Sequence, residues 1–529
     1  MFDFLIKDVQ VVDGSGQPAS VADVALQGDL IVEVGGLGAV QAERTVDGKG
    51  LVAAPGFIDM HTHSDFTLPA NPLAESKIRQ GVTTEVIGNC GLSPAPLNPA
   101  TKEDLLQYTG FLQPLLTWEW TAFGGYLDHL REVGTAVNVV PLVGHGTVRI
   151  AVMGFADAPP TRKQMKEMKE LVAQAMDEGA FGLSTGLIYP PGCYAATDEL
   201  VELSRVAAAH NGHYFSHIRG EAETLLEAIE EAITIGREAG LPVEIAHFKA
   251  AGQTNWDKAP EAVALVEQAR QGGLDLSADL YPYLAGSTNL SALLPAWAHE
   301  GGVTQLLARL GDDRQRRRIR EEMTSGKGAL GREVGYDRTY IALCPGHPQY
   351  EGKTLIQIGE VRNQEAVDVL FDLLLETDCQ AGMITFMMSE DNFRLGLSQP
   401  WMMVGSDGLS LAPYGKLGQG KRHPRSYGTF PRILARYVRE EGMLSLPQAI
   451  RKMTALPAEK LGLADRGRLQ KGMKADIVLF DPVKVEDQAT YAEPYQYPSG
   501  VEYVFVNGQL TVERGQHSGA LAGRVLERR

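Results

Sequence analysis

The chain has 529 residues, 44% of them hydrophobic and 22% charged, enough for a large buried core, which excludes a small disulfide scaffold and bulk disorder. Its 66 Asp and Glu against 49 Lys and Arg leave a formal charge of −17, a field that repels phosphate backbones and anionic membrane surfaces. Composition thus argues against nucleic acid or a membrane as partner.

The opening MFDFLIKDVQVVDGSG lacks a basic n-region followed by an apolar h-region, and no stretch approaches ~20 uninterrupted apolar residues. Short β-branched runs follow: Leu5, Ile6, Val9, Val11 and Val12, a turn at Asp13-Gly14, then Val21, Val24, Leu26, Ile31 and Val32. From residue 55 the pattern changes to strand and helix in alternation. Predicted strands are Phe57–His63, Thr83–Asn89, Val137–His145, Phe181–Thr185, His213–His217, Val243–Phe248, Leu274–Tyr281 and Met402–Asp407. Among the helices between them, Thr161–Glu178 carries a capping box of Thr161 with Gln164, an apolar face of Met165, Met168, Leu171, Val172, Ala175 and Met176, and a Gly179 stop. Eight such units close naturally as a (β/α)₈ barrel of the TIM type, with chemistry at the C-terminal strand ends; a doubly wound sheet is the alternative. More than one crossover separates the seventh strand from the eighth, so an inserted subdomain is expected over residues 285–346, beside the active site. In it, Leu290, Leu293, Leu294 and Trp297 either line a pocket or form the subdomain's core. Arg314, Arg316, Arg317, Arg318 and Arg320, interleaved with acids, read as a solvated helix with i,i+4 pairs. The Gly-rich loop Ser406–Arg425 lacks the spacing of a phosphate cradle and reads as a substrate-side loop. The far end returns to β-rich runs at Ala475–Phe480 and Val501–Val506. The expected domains are a small β-sandwich built from 1–54 plus 470–529 and a barrel over 55–469.

The sharpest local signal is Asp59-Met-His-Thr-His-Ser-Asp65. In a strand, residues i and i+2 share a face, so His61 and His63 can grip one cation. Polar residues recur at strand ends: Cys90 after the second, His145 on the third, His217 on the fifth, His247 on the sixth, Asp407 on the eighth. Thiolate with imidazole is a zinc-type donor set, whereas magnesium or calcium asks for oxygen; a buried, inert Cys90 is the other reading. Cys193, Cys344 and Cys379 follow no disulfide or CxxC spacing, and a reducing cytoplasm suits them.

The segments Pro55-Gly-Phe-Ile-Asp-Met-His-Thr-His-Ser-Asp65, Gly88-Asn-Cys-Gly91, Gly182-Leu-Ser-Thr-Gly186, Ser216-His-Ile-Arg219, Ala246-His-Phe-Lys249, Tyr281-Pro-Tyr283, Gly405-Ser-Asp-Gly408, His423-Pro-Arg425 and Lys471-Gly-Met-Lys-Ala-Asp-Ile-Val478 resemble, nearly end to end, the D-aminoacylase branch of the amidohydrolase superfamily. The resemblance implies that Cys90, His217 and His247 hold one zinc tightly, that His61 and His63 face a second, weaker metal position, and that Asp407 is the catalytic acid and base. It also implies Lys249, Tyr281, Ser287 and Arg425 as the binders of the substrate carboxylate. The fourth strand lacks the lysine that many superfamily members carboxylate as a bridging ligand. His145 either donates to the substrate carbonyl or braces another ligand.

The implied reaction is zinc-dependent hydrolysis of N-acyl-D-amino acids, small-molecule substrates. Alternatives are a dipeptidase for L-Xaa-D-Xaa, which needs an acceptor for the α-amino group, a cyclic-amide hydrolase, and a non-catalytic protein on the same fold.

Overall fold

The structure is a computed structural model in which residues 1–112, 118–325 and 335–528 are described. Eight parallel strands succeed one another in chain order: β1 Phe57–Asp59, β2 Val82–Ile87, β3 in two parts, Asn138–Pro141 and Val143–Gly144, β4 Gly182–Gly186, β5 His213–His217, β6 Val243–Ile245, β7 Leu276–Leu280 and β8 Met402–Val404. The break of β3 at Leu142 lets its first part pair with β2, Ile87 opposite Pro141, and its second with β4, Leu183 opposite Val143. β8 pairs with β7 and returns to β1, where Met60 N donates to Val404 O at 3.4 Å and Asp407 N to His61 O at 2.8 Å. The strands thus form the expected (β/α)₈ barrel.

Its interior is filled by Ile58, Met60, Val86, Leu142, Phe181 and Phe215 among others, together with Leu526 from the C-terminal tail. That tail runs beside β3, Leu526 N donating to Val139 O at 2.8 Å. Apolar packing at this depth leaves the polar residues to the C-terminal rim. The helix Arg162–Asp177 forms with the capping box of Thr161 and Gln164 in place and buries Met168, Val172, Ala175 and Met176, one stripe at the 3.6-residue period.

Both termini contribute to a nine-stranded sheet. Its halves meet where Val52–Pro55 pairs antiparallel with Ile477–Phe480, and Ile6, Val24, Ile477, Leu479 and Phe505 pack in one cluster. A buried polar network ties this sheet to the barrel. Asp476 pairs with Arg466 and accepts from Asn507 N at 2.7 Å and Asn138 Nδ2 at 3.0 Å, while Asn507 Nδ2 donates to Asn138 Oδ1 at 2.8 Å. Removing one partner of a buried charged network leaves the others uncompensated. Asp476→Ala is therefore expected to destabilise the fold by about 3–5 kcal/mol, measured as a lowered denaturation midpoint; an unchanged midpoint would show that the network carries no stability.

Between β7 and β8 lies a three-stranded antiparallel sheet, Ala285–Asn289, Gly382–Phe386 and Thr339–Leu343, with Gly382–Phe386 in the centre. Leu290, Leu293 and Leu294 are buried in the core of this unit, and Trp297 lies 3.7 Å from the Arg318 guanidinium; none of the four lines the central cavity. The arginine-rich helix Asp313–Ser325 departs from the i,i+4 expectation: only Arg318–Glu322, 3.2 Å, is such a pair, whereas Arg316 and Arg320 cross to Glu365, Asp368 and Asp372. The run thus ties its helix to the neighbouring helix Ala366–Glu376, which carries Asp368 and Asp372. Among the described residues, no helix is long and apolar enough to cross a membrane.

Candidate active site

A cavity opens at the C-terminal rim of the barrel, with the inserted sheet as one wall through Gly286, Ser287, Gly382 and Met383. Its reactive residues sit at or just past strand ends. His217 closes β5, whereas Cys90, His247 and Asp407 lie two or three residues beyond β2, β6 and β8. Those three have φ of +53°, +37° and +50°, left-handed backbone that costs a non-glycine residue about 1–3 kcal/mol and that functional sites retain. The Cys90 loop is pressed against β4: a Cβ at Gly186 would lie 2.1 Å from the Cys90 carbonyl oxygen, so only glycine fits.

Cys90 Sγ stands 3.3 Å from His61 Nε2, 3.5 Å from His247 Nε2 and 3.6 Å from His217 Nδ1. Tetrahedral zinc with bonds of ~2.3 Å to sulfur and ~2.0–2.1 Å to nitrogen separates such ligand atoms by about 3.5 Å. The donor set fits that ion. Burial opposes a charged thiolate, yet the three histidines outweigh it and hold Cys90 well below the usual thiol range, the form that ligates metal. Among the described residues, three donor groups have atoms within 4.8 Å of one another: His61, Cys90, His247; His61, His63, Asp407; and His217, Glu221, His247. His61 belongs to two of them, so it stands between the thiolate cluster and Asp407 rather than with His63 alone.

Asp407 Oδ1 lies 3.2 Å from His63 Nε2 and 3.7 Å from His61 Nε2, and Oδ2 is 2.8 Å from Arg425 Nη1. Burial alone would raise its carboxyl, but Arg425, His63 and His61 hold it well below the usual range. His63, despite burial, is pushed up to about 9, chiefly by its contacts with Asp407 and Cys90. Arg425 is stacked over Tyr281 at 4.7 Å and donates to Ser287 O at 3.2 Å, so three of the four residues expected at the substrate carboxylate come together. The Ser287 hydroxyl is turned away from Arg425 and donates to Met383 O at 2.9 Å. Lys249 lines the cavity but is paired with Glu221 at 2.5 Å. It reaches the site by a loop, since β6 ends at Ile245 and strand alternation does not extend to it.

His145 is not among the residues lining the cavity. It begins the helix His145–Met153 and its Nε2 lies 2.9 Å from Glu199, which also binds Arg149 at 2.6 Å. Its ring is fully buried, with Nε2 on Glu199 and Nδ1 without a hydrogen-bond partner, so its polar contact is with Glu199 rather than with a cavity ligand.

Three residues escape sequence reasoning. Asp279 on β7 faces His61 Nδ1 at 3.3 Å and accepts from His247 N at 3.0 Å. Tyr189, in the loop after β4, lines the cavity and stacks edge-on against His217 at 5.0 Å. Glu221 Oε1 lies 3.0 Å from His247 Nδ1, and Lys249 Nζ, itself paired with Glu221, lies 2.8 Å from the same nitrogen; fixing Nδ1 in this way leaves Nε2 to face Cys90, as outer partners orient metal-ligating imidazoles. Glu221 falls four residues after His217, the one signal that was available. Glu221→Gln is expected to weaken zinc binding by ~10–100-fold, read by chelator competition; unchanged affinity would remove Glu221 from the ligand-orienting shell.

Comparison with known proteins gives a consistent result. The amidohydrolase family profile matches residues 44–512. D-aminoacylase of Alcaligenes xylosoxydans xylosoxydans is 39% identical over 100% of this chain and 98% of its own. A crystal structure of D-aminoacylase, described as defining a novel subset of amidohydrolases, superposes with a TM-score of 0.84 at 38% identity, covering 100% of both chains. So does N-acyl-D-glutamate deacylase from Bordetella bronchiseptica, solved with zinc and a phosphonate mimic of the tetrahedral intermediate: TM-score 0.84, 33% identity, 100% of both chains.

Proposed function

The chain belongs to the amidohydrolase family, and from that premise we propose that it hydrolyses the amide bond of N-acyl-D-amino acids, releasing a carboxylate and a free D-amino acid with the help of zinc. One observation carries the reading: a thiolate and three imidazoles meet within 3.3–3.6 Å beside a carboxylate and a buried guanidinium. The resemblance picks Cys90, His217 and His247 as holders of one tight zinc, with His61 and His63 facing a weaker second position; by distance His61 also stands in the thiolate group. When bound, zinc supplies Lewis acidity that polarises an amide carbonyl and acidifies water.

The remaining work falls to side chains. Asp407 takes the proton of the attacking water and delivers it to the leaving nitrogen, which cannot depart unprotonated. Arg425, stacked on Tyr281, offers a planar fork for the α-carboxylate, with Ser287 at its edge. Lys249, committed to Glu221, adds positive charge to that wall. Fixing carboxylate and carbonyl together leaves the side-chain pocket to one hand of the amino acid, and the names of the relatives support the D hand. Leu92, Phe111, Leu112, Ile188 and Leu409 make the adjoining wall apolar.

The L-Xaa-D-Xaa dipeptidase reading needs an acceptor for a free ammonium. Among the described residues lining the cavity, the carboxylates are Glu221 and Asp407, and both already hold cations. Cyclic-amide hydrolysis makes less use of a carboxylate clamp.

The test pairs metal analysis of the purified protein with amine release from N-acetyl D- and L-amino acids and L-Xaa-D-Xaa dipeptides. Zinc with turnover confined to acetylated D substrates is expected. Cleavage of dipeptides alone would replace the reading, and a zinc-free, inert protein would sink it.

A further inference from the structure

Arg425 is 4% exposed and lines the cavity. Its Nη2 donates to Ser287 O at 3.2 Å, while Nη1 lies 2.8 Å from Asp407 Oδ2 yet makes no aligned hydrogen bond to any acceptor. A buried guanidinium donor without a directed partner is costly and invites a better-placed acceptor. The nearest anion is the group assigned to carry the proton. Asp407 has little freedom to seek another place, since its backbone N is bonded to His61 O at 2.8 Å and its other oxygen faces His63 at 3.2 Å.

Resting on the deacylase reading, we propose that Arg425 exchanges Asp407 for the α-carboxylate of the substrate, so that docking of the substrate's own charge releases the catalytic carboxylate. Without substrate, the guanidinium occupies Asp407 Oδ2. A substrate carboxylate arriving over Tyr281 meets the fork in bidentate geometry, which one off-axis contact to Asp407 does not satisfy. The Asp407 oxygen is then free to face the water it must deprotonate. Recognition and activation become one event, and a substrate that fits but lacks the anionic end binds without freeing Asp407. Binding energy from a remote part of the substrate is thereby used at the reacting centre.

The experiment compares an N-acetyl-D-amino acid with its neutral α-carboxamide on the zinc-loaded enzyme, wild type and Arg425→Met. In the wild type, the carboxamide is expected to show a lowered kcat as well as a raised KM. Arg425→Met is expected to lower kcat/KM for the acid and to raise kcat for the carboxamide by about tenfold, the rate equivalent of a weak charged hydrogen bond. Acetate added to the wild type should likewise raise turnover of the carboxamide, a measurement that stands if the Met variant fails to fold. A carboxamide kcat equal to that of the acid, with only KM raised, would reduce Arg425 to a clamp and overturn the exchange. So would a carboxamide kcat that neither acetate nor the substitution raises. Absence of turnover with the acid itself would overturn the deacylase reading and this inference with it.

Discussion

Asp407→Asn is expected to lower turnover of N-acetyl-D-amino acids by about 10²–10⁴-fold or more while leaving bound zinc in place. Asn matches the volume of Asp and keeps an acceptor for His63, 3.2 Å away, but it neither takes a proton from water nor returns one to nitrogen. Both transfers pass through the same group in the proposed reaction, so the loss is not recovered by raising substrate. The contacts of Cys90 with His61, His217 and His247 do not run through Asp407, which reaches the cluster at His61, 3.7 Å away. Steady-state rates with metal analysis on the same preparation give the answer. Turnover within tenfold of the wild type would remove Asp407 from the mechanism, and loss of zinc would make it a ligand.

Cys90→Ala carries the second large effect. It removes the one anionic donor among four clustered side chains and leaves three buried imidazoles facing one another. Outer-shell partners already contribute ~10–100-fold to metal affinity, so loss of this inner donor is expected to weaken zinc binding by more than ~100-fold and to take activity with it. The neighbours also lose their counter-charge: burial works against a charged His61, and the Cys90 thiolate is the largest of the influences that hold it well above the usual range nonetheless. Equilibrium dialysis against zinc measures the affinity directly. If Cys90→Ala keeps zinc and turnover, the metal is held instead by His217, Glu221 and His247, the group that closes without sulfur.

Much of this architecture was legible along the chain. The eight strand-like segments, the capped helix after Thr161 and the β-rich ends follow from short-range rules, periodicity and turn chemistry, which act over a few residues. Cys90, His217, His247 and Asp407 were visible because each ends or follows a predicted strand, and a barrel brings such ends to one rim. His145 shows the limit of that logic. It too stands at a strand end, yet the helix beginning there turns it to Glu199, 54 positions away. Lys249 was visible only through the resemblance: β6 ends at Ile245, and the loop beyond it sets Lys249 against both Glu221 and His247 Nδ1.

By itself, the amino-acid sequence determined which elements form, in what order, and which kinds of donor atom reach the rim. Only the tertiary structure decided the partnerships: His61 set between Cys90 and Asp407, Glu221 behind His247, Arg425 turned onto the proton carrier and backed by Ser287, 138 positions away. The physical reason is range. Periodicity and capping are local free energies, whereas the pairing of buried charges depends on which groups packing brings within about 3 Å in a medium of low dielectric, a condition that no stretch of chain sets alone.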